Sequence, residues 1–310
     1  MRQIDGGGHC IVPRRIMVCL GAYLMVDLLA VYLWSSAGSA FSIQTPSDNT
    51  ATLPLTAMAG LGLWLCLRVL RAFPAGAPLR RAWSLIAFAA AAQLVWGVLS
   101  QLFDSNWVLN SLLWTASAPS TLLGHIRLGA LIAGGPVRLA ALAGALFAVL
   151  RTLRKFGFWG RPRATDWAMC GIVCLFALCR FAEALAAYFA GAQMSMEEWA
   201  SLAGLPILCM LFVEAIFLGQ AVIRMGSGPV SKCWSAFVWG IFSIGFADVA
   251  LWLIPHYCRS PLGMVESLAG FVTTAVFALG PAYQLTAQRW ARTAGAPQEN
   301  LATHASAVAR

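Results

Sequence analysis

The chain has 310 residues, 60% of them hydrophobic and 11% charged, against roughly 45–50% and 25% in an ordinary soluble domain. That composition excludes a water-soluble globule. The formal charge of +9 does not point to nucleic acid, because the basic residues are dispersed in short clusters between apolar segments instead of forming one basic surface.

A bilayer core about 30 Å thick is crossed by about 20 mostly apolar helical residues. The sequence predicts eight such spans. After an N-tail, Met1 to Arg15, that has no apolar core, the first runs from Ile16 to Trp34. It is too long for a secretory signal and lacks a small-residue cleavage pattern, so it is expected to remain as an anchor. The second, Thr52 to Leu70, and the third, Ala82 to Phe103, follow, and no charge lies between Arg81 and Asp104. The fourth, Gly129 to Leu150, contains Gly134-Gly135-Pro136 and Arg138, which leaves straight, kinked and re-entrant forms open. Residues 151–166 read as a basic cytoplasmic linker. Spans five to eight are expected at Trp167 to Ala190, Ala203 to Ile223, Ser235 to Pro255 and Ser267 to Ala287. Residues 288–310 read as a disordered cytoplasmic tail, since the stretch from Thr293 is rich in Ala, Thr and Gln without a stable period.

Short cytoplasmic loops collect Lys and Arg, and this sets orientation. With the N-terminus inside, 17 of the 21 basic residues fall on inner segments: Arg2, Arg14, Arg15, Arg68, Arg71, Arg80, Arg81, Arg151, Arg154, Lys155, Arg161, Arg163, Arg224, Lys232, Arg289, Arg292 and Arg310. Arg127 and Arg259 fall outside, and Arg138 and Arg180 lie within spans. The expectation is an inner (plasma) membrane protein with both termini cytoplasmic. Tryptophans cluster near the same boundaries, Trp34, Trp107, Trp114, Trp199 and Trp252 on one side and Trp83, Trp159, Trp167, Trp234 and Trp290 on the other, as an interfacial belt would.

The two halves match in three places, in the same order, at offsets of 156, 152 and 151 residues. Asp27-Leu-Leu-Ala-Val-Tyr32 pairs with Glu183-Ala-Leu-Ala-Ala-Tyr188. Leu53-Pro54 and Met58 pair with Leu205-Pro206 and Met210. Pro78, Arg81, Trp83 and Ser84 pair with Pro229, Lys232, Trp234 and Ser235. A repeat of four spans returns the chain to its starting side, so the copies would be parallel about an axis along the membrane normal. The expected fold class is therefore all-α, eight transmembrane helices in two four-helix units, residues 16–150 and 167–287.

Six ionisable residues sit within spans: Asp27, Arg138, Arg180, Glu183, Glu214 and Asp248. Each costs about 2.5–3.5 kcal/mol at mid-helix if unpaired. Arg180 and Glu183 are three apart on one helical face and are expected to pair. Four acids against two arginines leaves two acids that are protonated or bind a cation. Counting along the spans places Asp27, Arg138, Glu183 and Asp248 in the outward half and Arg180 and Glu214 near the middle, with Gln93 able to join a shared polar chamber. The alternative is a set of structural ion pairs fixing helix register.

The four-plus-four layout is similar to that of haem A synthases, whose bundles hold haem between histidines. Here the four histidines, His9, His125, His256 and His304, all fall outside the spans, so no haem is expected. Only Cys258 lies in an expected outer loop, which precludes an intramolecular disulfide there. Cys170, Cys174 and Cys179 read as packing residues of span five, and no zinc-protease motif or phosphate-cradling loop occurs. The sequence thus predicts no metal and no cofactor. The bilayer is the expected partner, with a proton, cation or small polar solute at the intramembrane charges. Three functions remain open: a transporter or permease-like protein, a membrane scaffold or sensor subunit with a protein partner, and an enzyme acting on a lipid or quinone.

Overall fold

The computed structural model describes residues 47–104, 129, 132–158, 163–191, 196–253, 276 and 278–291. The expected first span lies outside them. Every regular element among the described residues is helical: α1 (Ser47–Ala72), α2 (Pro78–Asp104), a π-helical turn (Ala133–Val137), α3 (Arg138–Lys155), α4 (Ala164–Phe189), α5 (Met196–Met225), α6 (Pro229–Leu253) and α7 (278–291). Among the described residues, four stretches are long and apolar enough to cross a membrane, at Pro78–Leu99, Gly134–Lys155, Ala164–Phe189 and Leu202–Met225. They correspond to the third to sixth spans expected from the sequence.

The structure decides the form of the fourth span. Pro136 has no N–H to donate and its ring crowds the preceding turn. The chain absorbs this in the five-residue π turn, Ala133–Val137, which leads straight into α3. The segment is thus a helix with a π turn at its head, and it runs past Leu150 to Lys155. Its end is set by Gly157, whose φ of +78° is open to glycine at little cost. Gly157 N–H donates to the Arg154 carbonyl at 3.2 Å and Phe158 N–H to the Leu153 carbonyl at 3.1 Å, the two bonds of a Schellman ending. Both Phe158 and Leu153 are buried, adding the apolar contact that accompanies this motif. The connection to α4 is correspondingly shorter than the expected 151–166 linker, because Arg151, Arg154 and Lys155 belong to the helix.

At the head of α4, Asp166 accepts from the Arg163 backbone N–H at 2.7 Å and from Gln220 Nε2 at 2.9 Å. The first bond satisfies an orphan donor of the helix start. The second ties α4 to α5. Ring contacts between Trp167 and Phe217 at 6.1 Å and between Tyr188 and Trp199 at 5.6 Å hold the rest of this antiparallel pair.

Helix α1 packs on α2, α2 on α3, α3 on α5, and α5 on both α4 and α6. Small residues permit close approaches of this kind. A methyl group on Gly240 would come within 2.5 Å of Val276, and one on Gly280 within 2.5 Å of the Phe237 ring, so α7 lies tightly along α6. At the centre stand Trp83 of α2 and Trp234 of α6, both fully buried. Their ring centroids are 5.8 Å apart, and Phe237 lies 6.0 Å from the first and 5.6 Å from the second. Tilted and edge-on rings at such spacing add about 0.5–1.5 kcal/mol beyond area burial.

Trp234→Ala is expected to cost about 3–5 kcal/mol of stability, and Trp83→Ala a similar amount. Because the rings touch, the double variant should lose less than the sum of the two by about 0.5–1.5 kcal/mol. Unfolding in detergent measures all three, and strict additivity would show that the contact carries no energy.

Candidate functional site

The intramembrane charges are arranged by close helix approach. Gly134 in the π turn abuts the Trp96 ring so closely that no side chain fits there. This brings the start of α3 against α2. Gln93 stands one turn before Trp96 on the same face of α2, and Arg138 one turn beyond Gly134. Arg138 Nη1 consequently donates to Gln93 Oε1. The Arg138 Nε is buried without a hydrogen-bond partner among the described residues, so the described part of the site leaves the guanidinium incompletely satisfied.

Arg180 and Glu183 form the ion pair that their spacing predicts, at 3.6 Å. Their side chains are 46% and 54% exposed, on a helix whose principal neighbour among the described elements is α5. Glu214 is the opposite case. It is 6% exposed on α5, flanked by the buried Leu211, Phe212, Ala215 and Leu218, and its Oε2 has no hydrogen-bond partner among the described residues. Asp27 and the Asp248 side chain lie outside the described residues.

The described charges lie at different levels along the helices. The Cα of Gly204 faces Leu139, and a methyl group added there would lie 3.4 Å from Leu139 Cδ1, so Arg138 lies level with the part of α5 near Gly204. The ring contacts between α4 and α5 place Arg180 near that level too. Glu214 is ten residues further along α5, about 15 Å at 1.5 Å per residue. Arg138 with Gln93, and Arg180 with Glu183, therefore form an upper tier, and Glu214 stands below it. Alternating span direction orders the depths in this way but gives no distance between tiers, because separation depends on which residues of neighbouring helices meet.

Other buried polar residues emerge only in three dimensions. Asp166 is one, and its place three residues after Arg163 at the head of an apolar run is a helix-start signal. Gln284 and Gln288 on α7 are two more, 3% and 5% exposed, with Gln284 Oε1 and both amide atoms of Gln288 unpartnered among the described residues. Their spacing of four shows a common face but not that the face is buried.

No protein-family model, curated protein or solved structure matches the chain. Among the described residues no cluster of three or more His, Cys, Asp or Glu could hold a metal ion.

Removing the Gln93 carbonyl while keeping the side chain's bulk, as in Gln93→Leu, should strand the Arg138 guanidinium and cost about 1.5–3 kcal/mol. Gln93→Glu should restore or exceed wild-type stability by supplying a counter-charge. Unfolding midpoints in detergent test both, and an unchanged midpoint for Gln93→Leu would show that Arg138 is satisfied elsewhere. Asp166→Ala should cost about 1–2 kcal/mol through the lost helix-start bond, and more than Gln220→Ala, which leaves that bond in place.

Proposed function

We propose that this helical membrane protein is permease-like, moving a proton, a cation or a small polar solute, and that Glu214 is its coupling carboxylate. The carrying observation is Glu214 itself, a buried acid with one oxygen that has no partner among the described residues, on a helix apolar enough to span a bilayer. A lone charge in that position costs several kcal/mol. Binding a proton or cation removes the cost, and releasing it at one face of the membrane is transport. In this reading Arg138, held by Gln93, lies on the route above Glu214. Asp27 and Glu183 are the repeat-related carriers, Arg180 tunes Glu183, and Asp248 is a second coupling acid.

The proposal includes eight spans, arranged as two parallel four-helix units in the inner membrane with both termini cytoplasmic. Orientation rests on the Lys and Arg distribution. The repeat has support from Trp83 and Trp234, matched positions whose rings lie 5.8 Å apart. Equivalent residues touch in this way when they sit beside the axis relating two halves. The order of neighbours is also parallel, since α1 packs on α2 as α5 does on α6.

A scaffold or sensor role is the second reading, and the ion pair of Arg180 and Glu183 favours it. Half exposed on an apolar helix, that pair would suit contact with a partner subunit.

The purified protein in proteoliposomes, with an imposed membrane potential and an internal pH-sensitive dye, tests the first reading. Wild type should acidify or alkalinise the lumen, and Glu214→Gln should slow this at least tenfold while unfolding at a similar midpoint. Equal rates for wild type, Glu214→Gln and protein-free vesicles, with cation or solute gradients equally without effect, would overturn it.

A further inference from the structure

The lower part of α7 carries polar groups for which the mechanism above has no use. Gly280, Gln284 and Gln288 follow one another at intervals of four, so they form one stripe along the helix. The direction of that stripe is fixed by Gly280, whose Cα lies against Phe237 of α6. Val276 against Gly240 shows α7 running antiparallel to α6. Gln284 therefore comes opposite the stretch around Cys233 and Trp234, and Gln288 opposite the first residues of α6. Phe237 in turn touches Trp83 and Trp234.

Four polar atoms are buried without hydrogen-bond partners among the described residues of this neighbourhood: Gln284 Oε1, Gln288 Oε1, Gln288 Nε2 and Trp83 Nε1. As placed, two accept and two donate. If either amide is turned over, the set still holds both kinds. Along the facing stretch of α6, Cys233 and Trp234 are fully buried, Ser231 is buried with its hydroxyl donated to the Val222 carbonyl at 3.3 Å, and Lys232 is exposed. Buried amides left unsatisfied are expensive, and none of the buried residues just named carries a charge. A ligand that both donates and accepts, carries no charge and fits between packed helices is what the set requires. Buried water has those properties and makes about three hydrogen bonds.

We propose that Gln284 and Gln288, together with the Trp83 indole, hold ordered water between the lower halves of α6 and α7, in a site separate from Glu214. The site does not depend on Glu214 moving a proton. Its position near the start of α6, beside the exposed Arg289 and Trp290 in the last turn of α7, gives the water a short way to the surface of the bundle.

Cysteine accessibility tests this in the full-length protein with its native cysteines replaced by alanine. Gln284→Cys and Gln288→Cys should react with a small methanethiosulfonate at least tenfold faster than Ala282→Cys, a fully buried position on α7. Equal slow rates at all three would overturn the proposal. Should the cysteine-free chain not fold, pulsed X-ray hydroxyl-radical labelling of the unaltered protein gives the answer. Radicals form from water at the site, so buried Trp83 should be oxidised within the first pulses, and an unlabelled Trp83 would mean a dry site. A co-purified solute found bound by native mass spectrometry and lost in Gln284→Leu with Gln288→Leu would also overturn the assignment to water. Flux through Glu214 is a separate measurement, so either result can stand without the other.

Discussion

Inside an apolar bundle a polar side chain has no solvent to fall back on, and that constraint organises this protein. In water the energy of an ion pair is small because each charge keeps its hydration. In hydrocarbon or a packed core each charge must find its partner among a few side chains on neighbouring helices. Arg138 finds Gln93, Arg180 finds Glu183, and Asp166 finds a backbone N–H and Gln220. Glu214, Gln284 and Gln288 keep atoms without partners among the described residues.

The helix geometry that produces these pairings depends on places where a side chain is missing. Gly134 lets the π turn meet the Trp96 ring, and the turn itself exists because Pro136 cannot continue an ordinary helical bond pattern. Together they aim Arg138 at α2. Gly240 and Gly280 do the same for α7 against α6, bringing the amide stripe beneath the aromatic cluster. Close approach of backbones through small residues is how apolar helices gain packing energy where no hydrophobic force distinguishes helix from lipid. The same contacts place the polar groups.

Much of this is legible in the chain. The third to sixth expected spans each fall on a described helix of membrane-crossing length, because about 20 apolar residues between charges leave few alternatives. The Arg180–Glu183 pair follows from a spacing of three. Helix ends are less legible: α3 continues to Lys155 because a Schellman ending at Gly157 and Phe158 stops it, and hydropathy alone does not register a hydrogen-bonded cap. Counting depths along the spans places Arg138 and Glu183 outward of Glu214, but the separation of about 15 Å between those levels is not contained in the count. The contact of Gly204 with Leu139, which sets that separation, has no trace in either helix taken alone.

The sequence by itself determined that the chain is helical and apolar, where charges enter its spans, and which residues share a face, since these follow from composition and from a period of about 3.6 residues. Tertiary structure decided which faces meet. Gln284 and Gln288 are buried because Gly280 admits Phe237, Trp83 touches Trp234 across 151 residues of chain, and Glu214 is left wanting because no described group on the helices around it reaches its Oε2. Such outcomes depend on fit between surfaces distant in sequence, and that fit exists only once the helices are packed.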